Sequence, residues 1–180
     1  MTSASVCRRW NGFGAAARSI CAALFLVAAG PSFASTLVGV VVGIQDGDTL
    51  TVLDAEKVQH RIRLSGIDAP EKGQPSGHRS KEGLSAIAYR RQVAVEWHKR
   101  DRYGRLVGKV LVEGRDINLA QISSGLAWHY ANYAKEQRPL DRQLYAEAQT
   151  DAKQHRIGLW RDPSPTPPWD YRRGKRTTPM

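Results

Sequence analysis

An α+β fold, a five-stranded barrel of the OB kind with three helices, is predicted by three observations. Short runs of β-branched and apolar residues recur between residues 37 and 112, each bounded by turn residues. The first three runs are joined by connections so short that they must form an antiparallel meander. Helical patterns then follow the third and fifth runs, which suits a small, partly open barrel.

The first run, Leu37 to Ile44, is dominated by valine and reads as a buried strand. Gln45-Asp46-Gly47-Asp48 is a turn, because Asp-Gly is a strong two-residue hairpin signal. Thr49 to Leu53 resumes as the second strand, and Asp54 to Lys57 makes the next turn. Val58 to Leu64 alternates, with Val58, His60, Ile62 and Leu64 on one face and Gln59, Arg61 and Arg63 on the other. After a Gly/Pro/Ser-rich loop, Ser80 is a plausible N-cap for a helix carrying Leu84, Ile87 and Ala88. Val93 to Trp97 and Leu106 to Val112 are the fourth and fifth strands. Asp116 can cap a second helix, Ile117 to Ser123, closed by Gly125. Pro139 can start a third, in which Leu140, Leu144, Ala148 and Ala152 recur in fours.

The two ends of the chain differ from this middle. Residues 1–34 contain no Asp, Glu or Lys, and Arg8, Arg9 and Arg18 precede an apolar run from Ile20 to Ala29. Small residues at Ser32 and Ala34 complete the parts of a secretory signal, with cleavage expected after Ala34. The apolar run is shorter than the roughly 20 residues of a spanning helix, which argues against an anchor. Cys7 and Cys21 both lie in this segment, so the mature chain would hold no disulfide. Losing the three arginines takes the formal charge from +10 to +7, an excess compatible with a polyanionic partner. Residues 35–161 would then form the domain. Residues 162–180, rich in Pro, Arg and Lys, are expected to be a flexible accessory tail.

The stretch with most chemistry is Arg61 to Glu71. An alternating strand enters a turn closed by Pro70, with Arg63 before Asp68 and Glu71 after it. Asp48 ends a neighbouring turn, and carboxylates at adjacent strand ends can converge on a hard cation. Singly, Asp46 and Asp48 need be only turn residues, and Arg63 and Arg105 only solvated charges. Together they are the set that phosphodiester hydrolysis needs. Guanidinium forks stabilise the charged phosphoryl oxygens, a metal polarises them, and a carboxylate can take a proton from the attacking water. His78, His98 and His129 show no metal-like spacing and are expected to be structural.

Three motifs in order, Asp46-Gly47-Asp48-Thr49, Arg63 to Glu71, and Asp101-Arg102-Tyr103-Gly104-Arg105, resemble the staphylococcal nuclease (thermonuclease) family. The likeness continues through Gly125-Leu126-Ala127 to Gly158-Leu159-Trp160, covering about residues 37 to 161. It implies calcium-dependent cleavage of DNA and RNA by an OB-fold domain. It also implies that Asp48 and Asp68 ligate Ca2+ directly, with the backbone carbonyl of Ala69, where the family's best-known member has threonine. Asp46 would stand in the outer shell of that site. Glu71 matches the proposed general base, Arg63 and Arg105 the phosphate-binding arginines, and Tyr103 and Tyr133 tyrosines beside the nucleotide. The partner of Tyr133 has no clean counterpart, since the aligned position is Ala131 and Tyr130 lies one residue earlier. The expectation is therefore an exported nuclease, a monomer with no stable protein partner and no membrane contact after signal cleavage. The rivals are a non-catalytic nucleic-acid-binding module of the same fold and a basic adhesion domain. Glu71 separates enzyme from binder, because binding alone has no need of it.

Overall fold

Valine-rich sequence favours extended backbone because branched side chains pack well on a pleated surface, and the first such run makes the longest strand. The computed structural model describes residues 35–177; the expected signal segment lies outside them. Strand β1 (Ser35–Ile44) pairs antiparallel with β2 (Thr49–Leu53), and β2 with β3 (Gln59–Leu64), as the meander requires. A two-residue strand, β4 (Ile67–Asp68), follows at once. Helix α1 (Gly77–Ala88) leads to β5 (Gln92–Arg100), which takes the other edge of β1. Strand β6 (Leu106–Val112) pairs antiparallel with β5 and parallel with β3, setting Ile62 against Leu106 and Leu64 against Gly108. That last pairing closes the five long strands into a barrel and leaves no long edge open.

The short β7 (Arg115–Asp116) turns back to pair antiparallel with the end of β6 and delivers the chain to α2 (Ile117–Ser123). Asp116 caps α2 as expected, its Oδ1 accepting the N–H of Leu119 at 3.0 Å. Strand β8 (Trp128–His129) pairs with β4, and a 3₁₀ segment, Ala131–Glu136, leads into α3 (Pro139–Gln154). A second 3₁₀ turn, Gly158–Arg161, precedes α4 (Pro168–Thr177). Val41, Leu50, Val52, Ile62, Leu64, Val93, Val95 and Val110 fill the barrel, and Leu84, Ile117, Ile122 and Tyr145 close over it. Among the described residues no helix is long and apolar enough to cross a membrane.

Three expectations need correction. Helix α1 starts at Gly77 behind Ser76, and Ser80 is fully buried inside it. The Ser80 hydroxyl donates to the carbonyl of Leu126 at 2.6 Å, a tertiary bond in place of a cap. In α3, Leu140 and Leu144 face solvent while Tyr145 and Ala152 are buried. A run in fours drifts by about 40° per step around a helix of 3.6 residues per turn, so Leu140 and Ala152 cannot share one stripe. Finally, the expected flexible tail holds α4, whose start at Pro168 suits the fixed φ of proline. Gln74 Nε2 donates to the carbonyl of Thr166 (2.6 Å) and the Tyr171 hydroxyl to that of Gly73 (2.6 Å), tying this segment to the loop before α1.

One buried side chain holds the site's scaffold together. Asn118 accepts the N–H of Val110 (3.1 Å) and donates to the carbonyls of Ser65 (3.0 Å) and Gly108 (3.2 Å). It thereby locks the turn before β4 onto β6 and α2. Asn118→Ala would take this partner from the Val110 N–H and the Ser65 carbonyl, while the Gly108 carbonyl keeps the N–H of Ser65 at 2.8 Å. Urea unfolding is expected to show a loss of about 2–4 kcal/mol; a loss below about 0.5 kcal/mol would show that the turn is held otherwise.

Candidate active site

Asp48 reaches the site from the loop between β1 and β2. The N–H of Gln45 donates to the carbonyl of Thr49 (3.0 Å), and Asp46 Oδ1 accepts the N–H of Asp48 (3.0 Å). Asp46 therefore does the turn work typical of its residue type. Gly47 is not in the left-handed region that a two-residue hairpin would require. A Cβ at this position would instead overlap Ser80 Oγ and lie 2.9 Å from that of Ala69. Glycine is needed here for close approach, and the approach seats Asp48 against Ala69. The N–H of Ala69 donates to Asp48 Oδ2 (2.7 Å) and the Thr49 hydroxyl to Oδ1 (3.0 Å).

Asp68 comes from β4, held in place by its pairing with Trp128 of β8. It is only 1% exposed, and Asp48 only 5%. Arg63, on the outward face of β3, lies between them. Its Nη1 is 3.0 Å from Asp48 Oδ2 and its Nη2 donates to Asp68 Oδ1 at 2.8 Å. Nη1 also donates to the carbonyls of Leu64 (3.0 Å) and Ile67 (2.9 Å), which fix the plane of the guanidinium. Both buried carboxylates thus pair with the Arg63 guanidinium. Burial pushes the Asp48 carboxyl up to about 7 in spite of Arg63, and the neighbouring Asp46 and Asp68 add to the rise. This is an acidic centre short of cation.

Glu71 stands at the rim, after Pro70. Its backbone is fixed by the buried Gln74, whose Oε1 accepts the N–H of Glu71 at 3.1 Å. Arg105 arrives from the loop between β5 and β6. Gly104 adopts φ +76° there, and Asp101 Oδ1 accepts the N–H groups of Tyr103 (2.9 Å) and Arg105 (3.0 Å). Asp101 Oδ2 also takes Arg105 Nε at 2.7 Å, so the loop that carries the arginine aims it as well. Burial alone would raise the Asp101 carboxyl, but these bonds from Arg105 and Tyr103 hold it below the usual carboxylate range. Arg105 Nη1 extends to Thr49 Oγ1 at 3.4 Å, linking it to the hydroxyl that serves Asp48.

All the expected site residues line one open cleft of about 630 Å³, whose other wall carries Lys99, Arg100 and Arg102. Tyr103 is 65% exposed, with the guanidinium groups of Arg102 and Arg105 at 5.3 and 5.5 Å from its ring centre. Tyr133 is exposed too, 5.1 Å from the ring of Tyr130 and with Lys99 Nζ at 5.4 Å. Tyr130, left open by sequence, therefore belongs to the cleft. His129 is buried and bonded through Nε2 to Gln137 Oε1 at 3.0 Å, whereas His98 lines the cleft with its Nε2 3.8 Å from Glu136 Oε2.

Sequence reasoning missed Arg172 of α4. Its Nη2 donates to Asp68 Oδ2 (2.7 Å), and Nη1 to Glu71 Oε1 (2.8 Å) and Asp68 Oδ1 (3.2 Å). It comes from 104 residues downstream of Asp68, out of a segment whose composition carries no sign of order. Gln74 and Asp101 were also missed as positioning groups, although Asp101 lies within a quoted motif.

The donor chemistry suits a hard divalent cation. Asp48 and Asp68 offer buried anionic oxygens short of positive charge, and Ala69, in the same turn, can add a carbonyl. Among the described residues no three Asp, Glu, His or Cys side chains already form a metal cage. Glu71 is instead turned toward Arg172. A cation held by two carboxylates and a carbonyl completes its shell with water, so a third side chain is not required.

The family model described as staphylococcal nuclease homologue matches residues 61–162. The chain is 38% identical over 171 residues to "Micrococcal nuclease" of Shigella flexneri, covering 90% of this chain and 95% of that protein. It is 39% identical over 165 residues to "Protein ParB" of Escherichia coli (87% and 90% covered). An "Uncharacterized endonuclease" of Haemophilus influenzae is 38% identical over 136 residues, with 76% and 73% covered. A model match over more than half the chain, and relatives aligned over most of both lengths, place this protein in the staphylococcal nuclease family.

Proposed function

We propose that the protein is an exported, calcium-dependent nuclease that hydrolyses phosphodiester bonds of DNA and RNA. One observation carries the reading: Asp48 and Asp68 are both buried and both paired with Arg63 at the floor of a cleft that also holds Glu71 and Arg105. A purely binding module would gain nothing from three carboxylates where a phosphate must sit. An adhesion domain would have no reason to gather them at strand ends. Export is supported by the basic start, the apolar run and the small residues of positions 1–34. One chain supplies every group of the site, which supports action as a monomer.

Each residue then has a task set by its position. Asp48, Asp68 and the carbonyl of Ala69 would hold the cation, which when bound neutralises the carboxylates and polarises a phosphoryl oxygen. Arg63 and Arg105 supply charge-assisted hydrogen bonds to the oxygens around phosphorus, where negative charge builds up. Asp101 and the carbonyls of Leu64 and Ile67 hold those guanidinium groups in place beforehand. Glu71 accepts the proton of the attacking water as the new P–O bond forms and the bond to the leaving oxygen breaks. The basic wall of Lys99, Arg100 and Arg102 draws the polyanion along the cleft. Tyr103 and Tyr133 offer exposed rings for stacking against bases.

Digestion of single-stranded DNA is the direct assay. Cleavage is expected with calcium and lost with chelator, and Glu71→Gln is expected to lower kcat by about 10²–10⁴-fold. Cleavage that survives both chelator and Glu71→Gln would sink the mechanism. For the phosphate contacts, Arg63→Lys removes the planar fork while keeping the charge. It is expected to lose about 10²-fold in kcat/KM, against less than about 2-fold for the exposed Arg115→Lys. Equal losses at the two positions would remove Arg63 from the chemistry.

A further inference from the structure

Helix α4 reaches the acidic end of the cleft through Arg172 and packs through Trp169 on Tyr130, which lines the aromatic end. At the acidic end, Arg172 binds Asp68 and Glu71 through both Nη atoms, at 2.7 and 2.8 Å. At the aromatic end, Trp169 stacks on Tyr130 with ring centres 5.2 Å apart and planes 19° from parallel, and meets Trp128 edge-on at 5.6 Å. Between these ends, the bonds from Gln74 to Thr166 and from Tyr171 to Gly73 dock the segment beside Glu71. Pro163, Pro165, Pro167 and Pro168 stiffen the arm that leads to it, which limits how far the helix strays when undocked.

A guanidinium bridging Asp68 and Glu71 supplies the positive charge that a divalent cation would otherwise supply. Its hydrogen bonds use lone pairs of Asp68 needed for metal ligation, and of Glu71 needed to accept a proton. Trp169 anchors the helix by stacking on Tyr130. We propose that α4 is a tethered occupant of the active site, with Arg172 competing against the divalent cation and Trp169 anchoring the helix. The inference rests on the metal-dependent reading of the cleft. Cation binding then has to displace Arg172 from Asp68, so the chain's own helix lowers its apparent calcium affinity. The displacement is within reach, because α4 spans ten residues and an isolated helix of that length is marginal in water.

Isothermal titration of calcium into the full chain, without substrate, tests this apart from turnover. Arg172→Ala is expected to tighten calcium binding by roughly 10-fold or more, the equivalent of one charged hydrogen bond released from competition. Trp169→Ala, which loosens the helix without touching a carboxylate, is expected to tighten it in the same direction. Single-stranded DNA cleavage at subsaturating calcium should rise in both variants. Unchanged or weaker calcium binding in both variants, alongside measurable binding by the wild type, overturns the occupant role alone. A fall in kcat at saturating calcium for Arg172→Ala, with calcium affinity unchanged, overturns it too and makes Arg172 a catalytic group. No calcium binding by wild type or variants overturns the metal-dependent reading together with the inference.

Discussion

Two carboxylates buried side by side cannot remain charged without a cation, and the organisation of this protein follows from that requirement. Asp48 and Asp68 are almost inaccessible, and burial outweighs Arg63 at Asp48. The barrel leaves the deficit standing while it fixes both acids rigidly. Asp48 is locked by the close contact at Gly47 and by the N–H of Ala69, and Asp68 by the β4–β8 pairing. A centre held this way binds whatever positive charge can reach it. In the described chain that charge comes from Arg63 and Arg172.

The geometry also accounts for the division of labour between strand ends and loops. Asp48 and Asp68 are buried and fixed by backbone contacts, whereas Glu71 and Arg105 sit on more open loops held by Gln74 and Asp101. Such a split suits a reaction in which the charge-bearing floor stays fixed while phosphate and water come and go. The OB barrel, whose closing pair is β3 with β6, brings the Arg63 turn and the loop preceding β6 to one rim.

Much of this was legible in the sequence because the motifs are local. Asp48, Arg63, Asp68 and Glu71 lie at turns flanking short alternating strands, and neighbouring strands of a meander must bring their ends together. Arg105 was reached through the Asp101-to-Arg105 motif that carries the family resemblance. The failures have physical causes of their own. Gly47 read as a hairpin glycine because its close contact with Ser80 comes from tertiary packing. Ser80 read as a cap because its carbonyl partner, on Leu126, is 46 residues away. The apolar run in α3 misled because spacing in fours follows a helix only briefly. Arg172 was out of reach altogether: a Pro-rich basic segment reads as solvated, and only the acidic cleft gives its helix a reason to dock.

The acidic floor is either a cation site that Arg172 merely fills or a permanent ion-pair cluster. A crystal structure of the full chain soaked in calcium, with anomalous scattering to locate the ion, tests this most directly. The account predicts one calcium within about 2.3–2.6 Å of carboxylate oxygens of Asp48 and Asp68 and of the Ala69 carbonyl, with Arg172 moved off Asp68. Calcium bound elsewhere, or Arg172 still bridging Asp68 and Glu71 with calcium in place, would contradict it.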